Sequence, residues 1–247
     1  MAVRFDANNE FLSQASVISS FNYSDAYTLA VWYYPVTISS TSNIGNIWLT
    51  NTAITAYDGM GQERTSDGSN FFVQTSGGSG LTYNSAALSA TTWYHVAMIR
   101  SNSALMRGYI NGLQFGSDLT GSVSGRAAAE RLYIGSPVGG IYINSRYAHA
   151  KLWRAALSVE ELQREMHSVL PVRKNDLVAC WPLINDTADD AGGFPFTQNG
   201  TLSYEADPGI AWAVAKPKPH VWWIPPPAVT TSIIPLVRHH MAQQGMA

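Results

Sequence analysis

Residues able to do acid, base or nucleophilic chemistry are sparse in this sequence of 247 residues, so their spacing carries the argument. There are seven glutamates: Glu10, Glu63, Glu130, Glu160, Glu161, Glu165 and Glu205. Glycoside hydrolysis with retention needs two carboxyl groups about 5–5.5 Å apart. On a strand such a pair must share a face, as residues i and i+4 do, and no glutamate in a strand-like segment has that partner. Glu161 and Glu165 have the spacing, but in a helical pattern where solvated surface is expected. His95 and His149 lie in strand-like runs with no serine or cysteine nucleophile elbow near them. Asp186, Asp189 and Asp190 in NDTADDAGG offer the oxygen ligands that calcium takes. They lack the alternating D-x-D-x-D-G ladder and read as a surface turn. Tyr57 beside Asp58 pairs a stacking ring with a carboxylate, which suits a sugar and suits the end of a strand equally well. Cys180, in VACWPL, has the surroundings of a small buried hydrophobe. His239 and His240 would point to opposite sides of an extended chain. No catalytic residue, metal ligand or cofactor is assigned on this reading.

Most of residues 2–207 reads as strands that would carry these groups. AYTLAVWYYPV (26–36), NIWLT (46–50), NFFVQT (70–75), WYHVAMIR (93–100), RLYIG (131–135), YAHAKLW (147–153) and DLVACWPL (176–183) are rich in aromatic and β-branched residues. Gly, Ser, Asn and Asp clusters separate them, the layout of a sandwich or barrel. Asn111-Gly112, inside RGYINGLQF, is the preferred pair for a type I′ hairpin turn, because both central residues need positive φ. One helix is expected in ALSVEELQREMH, where Ser158 and Glu161 have capping-box spacing. Leu162 and Met166 share a face of it, Pro171 stops it, and it is expected to cover one end of the sandwich.

Charge divides the chain unevenly. Residues 1–207 hold all 17 acids and 12 of the 15 Lys and Arg, a net −5. The remaining 40 residues hold Lys216, Lys218 and Arg238, three of the six histidines and no acid, a net +3. Three charges are too few to imply nucleic acid. Cys180 is the sole cysteine, so no intrachain disulfide is available. Asp6 and Glu10 stand where a signal peptide needs an apolar core, and no run approaches 18 apolar residues. Neither Sec-type export nor a membrane span is expected.

In order along the chain, TTWYHVAMIR, GYINGLQFG, RLYIGSP, AKLWRAALSVEELQREM and LVACWPL resemble the laminin G-like class of concanavalin A-like jelly rolls. RFDANNEFL and YTLAVWYYP match the opening strands of that class. The resemblance covers about residues 2–210 and implies an all-β, antiparallel two-sheet jelly-roll sandwich with one short helix. Its pattern includes a histidine at His95, which implies a hydrogen-bonded structural role there. Fold alone does not decide function, since members of the class bind sugars, bind proteins, cleave glucans or serve as structural modules.

Residues 211–247 form a segment of different character, an extended proline-rich C-terminal arm beyond the 1–210 body. Six of the twelve prolines lie in residues 216–247, which favours an extended polyproline conformation. Trp222, Trp223, Ile224, Pro225, Pro226, Pro227, Ile233, Ile234, Leu236 and Arg238 make an apolar, weakly basic arm suited to lying on a partner surface. Tryptophan is the usual interface anchor, and proline lowers the entropy lost on docking. A laminin G-like jelly roll with such an arm resembles a capsid decoration or cement protein of a tailed bacteriophage, and the resemblance makes a non-enzymatic virion structural protein on the virion surface the main expectation. Its partners would be other capsid proteins and copies of itself. The alternative is a carbohydrate-binding, lectin-like host-recognition module, which predicts aromatics beside acids or amides on one loop cluster. A divergent glycosidase is the second alternative.

Overall fold

The computed structural model describes residues 1–7, 9–15, 25–38, 46–50, 57–62, 70–77, 80–120, 131–135, 144–191 and 193–210. All ten arm residues named above lie outside them, as do His239 and His240. In chain order the strands are β1 (Ala2–Phe5), β2 (Phe11–Gln14), β3 (Tyr27–Pro35), β4 (Asn46–Thr50) and β5 (Tyr57–Gln62). They continue with β6 (Asn70–Gly77), β7 (Gly80–Ala87), β8 (Tyr94–Asn102), β9 (Leu105–Ile110), β10 (Leu113–Leu119), β11 (Arg131–Gly135) and β12 (Ser145–Trp153). Helix α1 (Val159–Met166) follows, then β13 (Leu177–Trp181), β14 (Thr197–Asn199) and β15 (Ser203–Glu205).

Two antiparallel sheets result, which makes the expected sandwich. The first runs β10-β9-β8-β3-β12-β1-β15, with β13 continuing beside the second half of β12. The second runs β14-β2-β11-β4-β5-β6-β7. Alternation along each strand sends one set of side chains between the sheets. Leu29, Val31 and Tyr33 of β3 and Val96 and Met98 of β8 meet Leu12, Ile47, Leu49, Met60, Val73 and Ile134 of the other sheet. The Asn111-Gly112 turn has φ of 52° and 75°, as a type I′ hairpin requires.

The capping box forms as its spacing predicts: Ser158 Oγ accepts from the Glu161 N–H at 3.2 Å, and Glu161 Oε2 accepts from the Ser158 N–H at 2.9 Å. The helix does not cover one end of the sandwich, however. Leu157 and Leu162 pack on Ala30, Ala97, Ile99, Tyr109 and Trp153, on the outer face of the first sheet. Small side chains at Ala30 and Ala97 let the helix approach that face closely. Strands β5, β7, β14 and β15 were not expected. YDGMGQ and GLTYNSAA are rich in Gly, Ser and Asn, which are poor strand formers, and are held by their neighbours in the sheet. Among the described residues no helix is long and apolar enough to cross a membrane.

Candidate functional site

Tyr57 and Asp58 separate at once. They are consecutive on β5, so they face opposite sides of the sheet. Asp58 points inward and is fully buried, accepting from Arg100 Nη2 on Oδ1 at 2.8 Å and from Arg100 Nε on Oδ2 at 2.9 Å. Tyr27 donates its hydroxyl to the same carboxylate at 2.6 Å, and Arg100 Nη2 also reaches Thr75 Oγ1 at 2.9 Å. This network ties β3 and β8 of one sheet to β5 and β6 of the other. A fully hydrogen-bonded buried pair of this kind specifies register, and it takes Asp58 away from any sugar. Arg100 sat in view as the third member of an inward series with Val96 and Met98, where a charge must find a partner.

Tyr57 faces outward, onto a surface with an unusual make-up. The outer face of a sheet in a sandwich ordinarily carries polar residues, but here β2, β11, β4 and β5 contribute Phe11, Tyr133, Trp48 and Tyr57 in turn. Tyr133 stands directly opposite Trp48, and Trp48 opposite Gly59. The Phe11 and Tyr133 rings meet edge-on with centroids 5.7 Å apart, and the Trp48 and Tyr57 rings do so at 4.6 Å. Phe72 of β6, two strands from Trp48 across Gly59 and its strand β5, supports it with ring centroids 6.3 Å apart. The result is a diagonal aromatic stripe crossing three strand spacings, about 14 Å at the usual ~4.8 Å between strands. Trp48, Phe72 and Tyr133 are buried, while Tyr57, Phe11 and the flanking Arg131 are partly exposed.

Gly59 makes the stripe possible. The six-membered ring of Trp48 lies against the backbone of β5, where a Cβ on residue 59 would come within 2.3 Å of Trp48 Cε3 and 2.5 Å of Cζ3. Any side chain there would have to displace the indole. Polar groups border the stripe: Ser13 and Asn199 on the β2–β14 side, and Gln74 on β6 opposite Gly59. Arg131 donates from Nη1 to the Tyr133 hydroxyl at 3.3 Å. Among the described residues it is the one charged side chain on this face, which bears no carboxylate.

The remaining chemistry-bearing residues are absorbed by structure. Glu165 is buried rather than solvated. Lys151 Nζ donates to its Oε2 at 2.8 Å and to the Ser168 carbonyl at 2.7 Å, while Glu165 Oε1 accepts from the Arg173 N–H at 2.6 Å. Glu161, partly buried, accepts from Arg173 Nη1 on both oxygens. His95 and His149 are buried, and among the described residues neither His95 Nδ1, where a hydrogen bond was expected, nor either ring nitrogen of His149 has a partner. Burial holds their pKa values down, to about 3 for His95 and about 4 for His149. Cys180 is buried, as expected, and burial pushes its thiol up to about 12. Asp189 shapes its loop by accepting from the N–H groups of Cys180, Ala191 and Phe194 at 2.8, 2.9 and 3.0 Å. Among the described residues no three His, Cys, Asp or Glu side chains converge as a metal centre would require.

Of the stripe, Tyr57 alone was singled out from sequence, yet a signal for the rest existed. In IWL, FFV and LYI the apolar residues run on instead of alternating. That is the mark of a strand covered on both faces, and Trp48, Phe72 and Tyr133 are the outward members of those runs. The aromatics therefore sit on a sheet face rather than on a loop cluster.

Comparison with known proteins agrees with the sandwich. A Bacteroides ovatus protein inferred to bind carbohydrate superposes with a TM-score of 0.59 at 16% identity, over 86% of this chain and 62% of that one. This chain thus spans under two thirds of the Bacteroides protein. The heptameric SAP-like pentraxin of Limulus polyphemus superposes with a TM-score of 0.51 at 16% identity, over 85% of this chain and 90% of that one. At such identities the likeness is one of fold. No curated protein sequence matches the chain. Residues 7–163 match the model of the concanavalin A-like lectin/glucanases superfamily in its laminin G form, and on that match the chain belongs to this superfamily.

Proposed function

We propose that this chain is a non-catalytic glycan-binding module that holds a saccharide along the Phe11–Tyr133–Trp48–Tyr57 stripe. The observation that carries this reading is the outward aromatic set itself, in which the buried Trp48 and Tyr133 back the partly exposed rings of Tyr57 and Phe11. Sugar rings have an apolar face and a rim of hydroxyls. Tyr57 and Phe11, held edge-on by Trp48 and Tyr133, offer rigid rings for the first, and the partly exposed Ser13 and Asn199 offer partners for the second. The stripe's length suits several linked sugars better than one. The lack of a carboxylate on the described face argues against a hydrolase there, since glycoside hydrolysis of the usual kind needs two. The Bacteroides ovatus neighbour, inferred to bind carbohydrate, supports binding over capsid decoration. Titration of the full chain with oligosaccharides, followed by calorimetry and tryptophan fluorescence, tests the proposal. Binding lost in Tyr57→Ala with an unchanged melting temperature is the expected result, and binding unaffected by it would remove the stripe from consideration.

A second reading, assembly through the arm, rests on the sequence: Trp222, Trp223 and the prolines 225–227 in a segment with no acid. In that reading the arm clamps copies of the chain or a virion partner. Mass in solution of the full chain, compared with a chain ending at Gly209, tests it. Equal masses and no added partner-dependent assembly would leave the arm without this role.

A further inference from the structure

We infer that the saccharide taken by the stripe is anionic, bearing a carboxylate of the uronic-acid type, and that Arg131 is its anchor. This rests on the glycan-binding reading above. Among the other described arginines, Arg4, Arg100, Arg107, Arg146 and Arg173 each pair with a carboxylate of this chain, and Arg164 donates to the Glu160 carbonyl. Arg131 has no carboxylate partner among the described residues, and its one hydrogen bond, to the Tyr133 hydroxyl, is long at 3.3 Å. A guanidinium has five N–H donors in a rigid fork, so most of its capacity is unused.

Its place gives that capacity a direction. On the outer face Arg131 lies in register with Thr50, and Thr50 with Tyr57. The Arg131 and Tyr57 backbone positions therefore stand on either side of the buried Thr50, about 10 Å apart at two strand spacings. A carboxylate held at Arg131 leaves an adjoining sugar of the same chain to stack on Tyr57. No acid on the described face competes for Arg131 or repels an anion. The planar fork matches a carboxylate bidentately. A single arginine suits one carboxylate at a time, whereas a densely sulfated chain calls for a cluster of basic residues.

The test uses the full chain, titrated with oligogalacturonate, oligoglucuronate and alginate oligosaccharides, each alongside its carboxyl-reduced neutral form and a sulfated oligosaccharide of equal length. At least one uronate is expected to bind 10-fold or more tighter than its reduced form. Arg131→Gln should abolish that preference, and Arg131→Lys should retain part of it, because the charge remains while the fork is lost. Melting temperatures should stay at the wild-type value, since Arg131 holds no ion pair among the described residues. If acidic and reduced forms bind equally, or the sulfated chain alone binds, the inference fails while glycan binding stands. If no saccharide binds, the glycan reading fails and takes the inference with it.

Discussion

Acidification from pH 7 to pH 5 is expected to weaken this fold through two histidines. His95 is 3% exposed and His149 2% exposed, with no partner for His95 Nδ1 or for either nitrogen of His149. Burial is the main cause of the lowered pKa in both, to about 3 and about 4, and Lys151 reinforces it. His167 and His149 add to the effect on His95, and the N-terminal amine to that on His149, while Asp207 opposes it there. In the unfolded chain both return to about 6.5. Below that value the unfolded state takes up a proton that the folded state refuses, so stability is full above pH 6.5 and falls as the pH drops toward 4 and then 3. Each histidine then costs about 1.4 kcal/mol per pH unit, or about 2 kcal/mol by pH 5. Two such losses are large against the ~5–15 kcal/mol that typically separates folded from unfolded states. Urea denaturation at pH 7, 6 and 5, for the wild type, His95→Gln and His149→Gln, measures the effect. Each variant should show a shallower decline by one proton's worth. Parallel declines in all three proteins would refute the assignment of the acid loss to these side chains.

Other perturbations follow from the same coordinates. Gly59→Ala puts a methyl group within 2.3 Å of the Trp48 ring, so it should cost about 1–3 kcal/mol by overpacking. A shifted tryptophan emission maximum and weakened glycan binding should accompany that loss. Asp58→Asn leaves the Arg100 guanidinium buried with a neutral partner. The loss should be about 3–5 kcal/mol in thermal or urea unfolding, with a smaller loss when both residues are replaced together by apolar ones. Ser158→Ala removes the cap of α1 and should cost about 1 kcal/mol, measurable as a lower urea midpoint with an unchanged slope.

The sequence alone determined what local physics determines. The Asn111-Gly112 turn, the Ser158–Glu161 capping box and the strands at 27–35, 46–50 and 131–135 each depend on residues only a few positions apart, and each forms where expected. The aromatic stripe was half legible: unbroken apolar runs around Trp48, Phe72 and Tyr133 imply two covered faces, but not which strands lie side by side. Tertiary structure decided that. It brings Phe11 next to Tyr133, and Tyr133 opposite Trp48, across strands that are 85 residues apart in number between β11 and β4. It turned Tyr57 outward and Asp58 inward to Arg100, 42 residues on. It also buried Glu165 against Lys151 and laid the helix on a sheet face instead of an end. In each case the controlling energy is burial or charge pairing between distant segments, which depends on strand order and register, and no short stretch of the chain carries either.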